Sequence, residues 1–221
     1  MKIRNILLIL SVLFTINIFA GAEQNGFKDV ITNLRTLSAN FKQYNVNNNN
    51  KKKFESSGKF YISKPDKFRW DIMNPNSQIL VSNGKQFINY DVDLEQVSIK
   101  NINGINKETP IYILSGDYDS IEKNYNISVE NNNKSKNIIT YVLSPKKNNK
   151  TNKVKKDINN DIEQNISAVK LSFSGKILQS IDIYSNNKLI TLINLYRVNL
   201  NKNIPPKKFK VHIPKNVEIL K

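Results

Sequence analysis

The chain has 221 residues, with 34 Lys and Arg against 18 Asp and Glu for a formal charge of +16, no Cys and a single His. Without Cys there are no disulfides, thiol nucleophiles or thiolate-held zinc, and one imidazole, His212, cannot form a metal-binding cluster. The length suits one domain large enough to enclose a core or a cavity, and most enzyme classes are disfavoured before any motif is read.

The first 22 residues have the layout of a cleavable secretory signal. Lys2 and Arg4 make a positive start, Ile6 to Phe19 is an apolar run, and Ala20-Gly21-Ala22 is a small-residue cleavage site. The run falls short of the roughly 20 apolar residues that a spanning helix needs, which makes export to the periplasm the expectation and 23–221 the mature domain. No Cys follows the cleavage site, so no thioether lipid anchor can form there.

Next, Phe27, Val30, Ile31, Leu34 and Leu37 recur at helical spacing, which predicts an amphipathic helix over 25–37. Short strand-like runs then follow at 54–62, 68–73, 78–82, 86–90 and 96–100, and again at 127–129, 138–143, 169–173, 177–184, 189–198 and 209–213. Asn83-Gly84 between two of them signals a type I′ hairpin. About eleven short strands in meander order predict a mainly β protein, an antiparallel barrel-like sheet with few helices. Between strand runs, Thr109-Pro110 and Gly116 bracket Ile111, Tyr112, Ile113 and Leu114, a short helix apolar nearly all round. Such a helix must lie against an apolar surface and fits a plug on the mouth of a barrel. The segment 146–165, rich in Lys and Asn, reads as a mobile insertion, and 47–53 as a polar hairpin tip.

Phe60, Phe68, Trp70, Leu80, Phe87, Tyr90, Val97 and Ile99 are assigned to one apolar face, either an ordinary core or the lining of a cavity for an apolar ligand. Arg occurs only at 4, 35, 69 and 197, and the Lys excess is spread along the chain with Asn and Ile. Diffuse Lys with scarce Arg argues against nucleic acid as a partner. The cluster of Asp91, Asp93, Glu95 and Gln96 is assigned to turn hydrogen bonds, and His212 to an outward-facing position with no nucleophile motif to serve. No catalytic residue, metal or cofactor is expected.

The run Gly58-Lys-Phe-Tyr-Ile-Ser-Lys-Pro-Asp-Lys-Phe-Arg-Trp70 resembles the signature of the LolA family of periplasmic lipoprotein carriers. Likeness continues through Pro75, Gln78 to Gly84, Tyr90 to Val97, Thr109-Pro110 with Leu114 to Asp117, and Phe209 to Leu220, so it covers about 26–145 and 166–220. It implies an incomplete, open eleven-stranded antiparallel barrel, capped by helices that form a lid over an apolar cavity for acyl chains. It further implies acylated lipoproteins as cargo, a Lol-type inner-membrane ABC transporter as donor, and an outer-membrane acceptor or the membrane itself as recipient, the carrier being a monomer. Pro65, Asn83, Gly84 and Pro110 are the motif's structural positions, and Ile111, Ile113 and Leu114 its lid. The family's latch, usually an Arg before the signature Pro, is matched by Lys64, with Arg69 expected to share the role; Lys lacks the planar fork of Arg. The alternative reading is an envelope-stress sensor using the same barrel. Such sensors usually carry a second domain, which is not expected here.

Overall fold

In the computed structural model the described residues are 19–47, 49, 51–102, 110–130, 137–146 and 166–220. Helix α1, Phe19–Asn33, precedes strands β1, Thr36–Val46, β2, Lys52–Ser63, β3, Lys67–Asn74, β4, Gln78–Asn83, β5, Gln86–Asp91, and β6, Gln96–Asn101. Two short helices follow, α2, Pro110–Ser115, and α3, Tyr118–Asn124. Then come β7, Tyr125–Glu130, β8, Ile138–Pro145, β9, Ile166–Ser174, β10, Ile177–Ser185, and β11, Lys188–Leu200. A 3-10 turn, Pro206–Phe209, leads to β12, Glu218–Leu220.

All twelve strands lie in one sheet, in the order β12-β6-β5-β4-β3-β2-β1-β11-β10-β9-β8-β7. Neighbours are antiparallel except β12 on β6. The first half meanders outward from the centre, the second meanders back, and β11 closes on β1. The edges, β12 and β7, stay apart, so the barrel is open, as expected.

Several expectations need correction. The central strand β1 falls before the first expected strand, because only Leu37, Ala39 and Phe41 alternate into the core before polar residues take over. The predicted helix over 25–37 stops at Asn33, since Asn201 clamps the turn: its Oδ1 accepts from Arg35 N at 2.8 Å and Thr36 N at 3.3 Å, and its Nδ2 donates to Asn33 O at 2.9 Å. The expected strand 209–213 is an irregular strap instead, and the last strand is the parallel β12.

The concave face holds a continuous core: Phe27 and Ile31 of α1, Ile113 and Leu114 of α2, Tyr118 and Ile121 of α3, and the inward residues of both sheet halves. Phe41 and Phe60 flank Trp70 with ring centroids 4.6 and 4.8 Å away, and Phe27 packs on Tyr141 at 4.9 Å. A second core, on the convex face, joins Ile88, Tyr90 and Val97 to Val217 of the strap, with Val211 and Ile213 beside them. His212, between those two, is exposed. The acidic cluster serves turns: Asp91 accepts from Leu94 N, Asp93 from Ser77 N and Glu95 from Asn216.

The Asn83-Gly84 turn forms, but in a different way from a type I′ hairpin. Gly84 alone takes a positive φ, 89°, while the Asn83 carboxamide oxygen accepts from the backbone N–H of Lys85 and Gln86. The expected leader lies outside the described residues except for positions 19–22, whose backbone starts α1; 147–165 and Thr109 lie outside them entirely.

Gly58, which opens the signature, sits where the β2–β3 register shifts, and a Cβ there would fall 1.8 Å from the Asp71 carbonyl oxygen. Backbone cannot yield as a side-chain tip can. Gly58→Ala should therefore destabilise the protein by roughly 2–4 kcal/mol in urea unfolding, and an unchanged midpoint would show that the β2–β3 contact is looser than described.

Candidate functional site

The chain leaves β6 beside one edge of the sheet and must re-enter at β7, the opposite edge. The segment between them, carrying α2 and α3, therefore crosses the concave opening. It is held by its own chemistry: Ile113 and Leu114 are fully buried, and Asp117 caps α3 by accepting from Ser120 N at 2.8 Å. That backbone bond, first among the causes, lowers the Asp117 pKa below the ordinary carboxylate value.

The tip of the β2–β3 hairpin grips two helix ends. Lys64 donates its Nζ to the carbonyl of Ile31 in the last turn of α1, at 2.8 Å, and its backbone N to Arg35 O. The Ile31 carbonyl, in that last turn, lies at the negative end of the helix dipole, so a cation suits it. Two residues on, Asp66 donates its backbone N to Ser115 O, the last residue of α2, at 3.2 Å. The Asp66 carbonyl in turn accepts from the buried hydroxyl of Ser82 at 2.6 Å. The direct hydrogen bond to α2 thus comes from the Asp66 backbone, while the Lys64 ammonium holds α1.

Arg69 lies on the opposite face of the sheet. Its Nε pairs with Asp71 Oδ1 at 2.6 Å and its Nη1 reaches the carbonyls of Lys208 and Lys210, both at 3.2 Å. It ties down the C-terminal strap rather than α2, because strand alternation turns Phe68 and Trp70 inward and Arg69 outward.

The expected apolar face divides in the same way. Phe60, Phe68 and Trp70 are buried in the concave core, with Leu80 and Phe87 half-buried against it. Tyr90 and Val97 belong to the convex core and Ile99 is exposed beside Val97's strand mates. The register shows why: Ser82 pairs with Phe87 but Val81 with Ile88, and Ile88 with Ile99, so Ile99 shares the face of Val81, not that of Phe87. Pro110 and Ile111 belong to α2, but their side chains fall outside the described residues.

A cleft of about 390 Å³ opens where α1, α2 and the strand ends meet, within the roughly 300–1,000 Å³ usual for small-ligand sites. Val30, Leu34, Leu37, Leu114, Phe173, Leu178 and Leu200 give it apolar walls; Asn33, Arg35, Lys176 and Asn201 edge it. Most of these residues escape sequence reasoning, since Leu37 and Leu200 become neighbours only through the β1–β11 register. The alternation of buried residues along β9 was the available signal. An apolar cleft without reactive groups can hold a flexible hydrocarbon, and Leu114 is the part of α2 that borders it.

The family described as "Outer membrane lipoprotein carrier protein LolA" matches residues 32–163. An outer-membrane lipoprotein carrier protein of Legionella pneumophila (strain Lens) is 28% identical over 214 residues, covering 97% of each chain. The protein of the same description from Pseudomonas aeruginosa (strain UCBPP-PA14) is 30% identical over 194 residues, 86% of this chain and 84% of its own. The fold is shared with an uncharacterized conserved protein from Thermus thermophilus, at a TM-score of 0.56 and 12% identity, over 90% of this chain and 98% of that one.

Burial of the Lys64 ammonium lowers its pKa from 10.5 to about 8, and Asp117 offsets part of that fall. The unfolded chain therefore holds this proton more tightly than the folded one between about pH 8 and 10.5, and in that window folding gains stability as pH rises. Allowing for partial solvent screening, the stability of the natural chain relative to Lys64→Met should shift in its favour by about 1–2 kcal/mol from pH 7 to pH 10. A difference independent of pH would show that Lys64 is not desolvated at the α1 end.

Proposed function

Because the chain belongs to the LolA family of outer membrane lipoprotein carrier proteins, we propose that it takes up the acyl chains of lipoproteins in the periplasm and hands them on toward the outer membrane. The observation that carries this reading is the crossing segment: α2 buries Ile113 and Leu114 in the concave core beside an apolar cleft. The family relationship supplies the cargo class, and the geometry supplies a way to admit it.

Burial of two such side chains contributes roughly 3–6 kcal/mol to the closed form. A hydrocarbon tail gains about 0.8 kcal/mol per buried CH₂, so roughly four to eight methylenes replace what α2 gives up. An acyl chain is longer than that. Cargo can therefore displace α2 without ATP hydrolysis by the carrier, and the two states remain close enough in energy for release. The tail shifts the equilibrium only by its differential affinity for the displaced form.

Lys64 and Asp66 act together as the latch in this reading. Desolvation of the half-buried ammonium offsets part of what its bond to α1 contributes, which keeps the latch weak. A Lol-type ABC transporter is the donor, and an outer-membrane acceptor or the membrane itself is the recipient. No step makes or breaks a covalent bond, so the carrier is not an enzyme. The leader-like layout of 1–22 supports export, so the carrier works in the periplasm, as a monomer.

Native mass spectrometry after co-expression with a triacylated lipoprotein tests the reading. A 1:1 complex is expected, and it should vanish when the lipoprotein's acylated Cys is replaced. A complex that persists without acylation, or none at all with the carrier folded, would contradict it. Lys64→Ala should slow cargo release several-fold, because it weakens the closed form that replaces the loaded one; unchanged release would remove Lys64 from the latch.

A further inference from the structure

At the cleft, the β9–β10 hairpin tip and the start of β8 form a lip with apolar side chains on both faces. Ser174 pairs with Ile138 on one side and Ile177 on the other, so these two isoleucines share a face. Phe173 pairs with Ile139 and Leu178, which share the other. Phe173 and Leu178 are buried and line the cleft, yet Ile138, Ile139 and Ile177 are 37%, 48% and 43% exposed. Single exposed isoleucines need no explanation, but two on one face and one on the other leave the rim of this lip apolar on both sides.

The charged side chains that line the neighbouring cleft are cations, and Glu130, opposite Thr140 on β7, is paired with Lys170. Lys176 stands at the hairpin tip between Gly175 and Ile177, Arg35 edges the cleft opposite it, and Lys202 follows Asn201. No carboxylate is among the described residues lining the cleft. Asp29, exposed on α1, sits one turn before Asn33 and outside the lining. The chain's formal charge of +16, less Lys2 and Arg4 of the leader, adds to the local pattern.

We propose that this lip is a bilayer-docking surface: Ile138, Ile139 and Ile177 enter the headgroup region of a membrane containing anionic phospholipid, while Lys176 and Arg35 pair with its phosphates. Apolar side chains flanked by cations are what interfacial binding requires, because neither apolar burial nor charge alone holds a protein at a bilayer. Docked this way, the cleft mouth faces the lipid, and an acyl chain can pass between carrier and bilayer without crossing water. The proposal deepens the carrier reading and takes its purpose from it, although the membrane contact itself does not depend on cargo.

Flotation of the protein, purified as secreted, with cargo-free vesicles tests this. The natural chain should float with phosphatidylethanolamine–phosphatidylglycerol vesicles at low salt and far less with phosphatidylcholine alone. The double variant Ile138→Asn, Ile177→Asn should bind roughly tenfold more weakly, and Lys176→Glu more weakly at low salt. The double variant should keep the natural melting temperature and acyl-dependent cargo complex, since Ile138 and Ile177 are exposed and lie outside the cleft lining. The proposal falls if the natural chain stays unbound, if the double variant floats equally well, or if only vesicles holding a transporter capture it. Equal flotation with phosphatidylcholine would overturn the anionic assignment. Flotation that persists where no acyl-dependent complex forms would refute the carrier reading and leave the docking surface standing.

Discussion

Pairing of β11 with β1 is the constraint on which the rest of the structure depends. It joins the last long strand to the first at the centre of the sheet and leaves the outer strands of each half at opposite edges. The chain between β6 and β7 must then travel from one side of the sheet to the other. Crossing a concave apolar face, it can be accommodated only by burying apolar side chains of its own, which Ile113, Leu114, Tyr118 and Ile121 provide. The lid is in this sense a consequence of strand order. Polar bonds add to this: Asp66 N donates to Ser115 O, Ser120 N to the Asp117 carboxylate, and Lys146 N and Nζ to the carbonyls of Asn124 and Glu122.

The two cores divide the labour. The concave core contains the helices, and any ligand of the cleft must compete with them. The convex core is fastened by the strap, with Arg69 bridging Asp71 and the carbonyls of Lys208 and Lys210 and with Phe209 buried on β3 and β4. Rearrangement of α2 therefore need not disturb the packing behind β4, β5 and β6. That separation lets one face change its occupant while the sheet keeps its register.

Much of this was legible in the sequence. Period-two alternation gave ten of the strand positions, and the apolar run closed by Gly116 marked α2. The signature from Gly58 to Trp70 pointed to the hairpin that grips the helix ends. What alternation cannot reveal is which face of a curved sheet is concave. Tyr90, Val97 and Ile99 alternate as regularly as Phe60 and Ile62, and only cross-strand register puts them behind the sheet, with Tyr90 and Val97 under the strap and Ile99 exposed. Strand β1 was hidden because its outer half, Lys42 to Val46, has little apolar content and gains its place from two long partners. The clamp by Asn201 depends on residues 166 positions apart and leaves no local trace.

The claim at the centre of this account is that cargo replaces α2 against the concave core. Amide hydrogen exchange of the carrier, free and in complex with a triacylated lipoprotein, tests it most directly. The account predicts that Ile113, Leu114 and Ser115 exchange faster in the complex while the strands around Phe60 and Trp70 stay protected. Equal or stronger protection of α2 with cargo bound would contradict it and would place the acyl chains elsewhere on the protein.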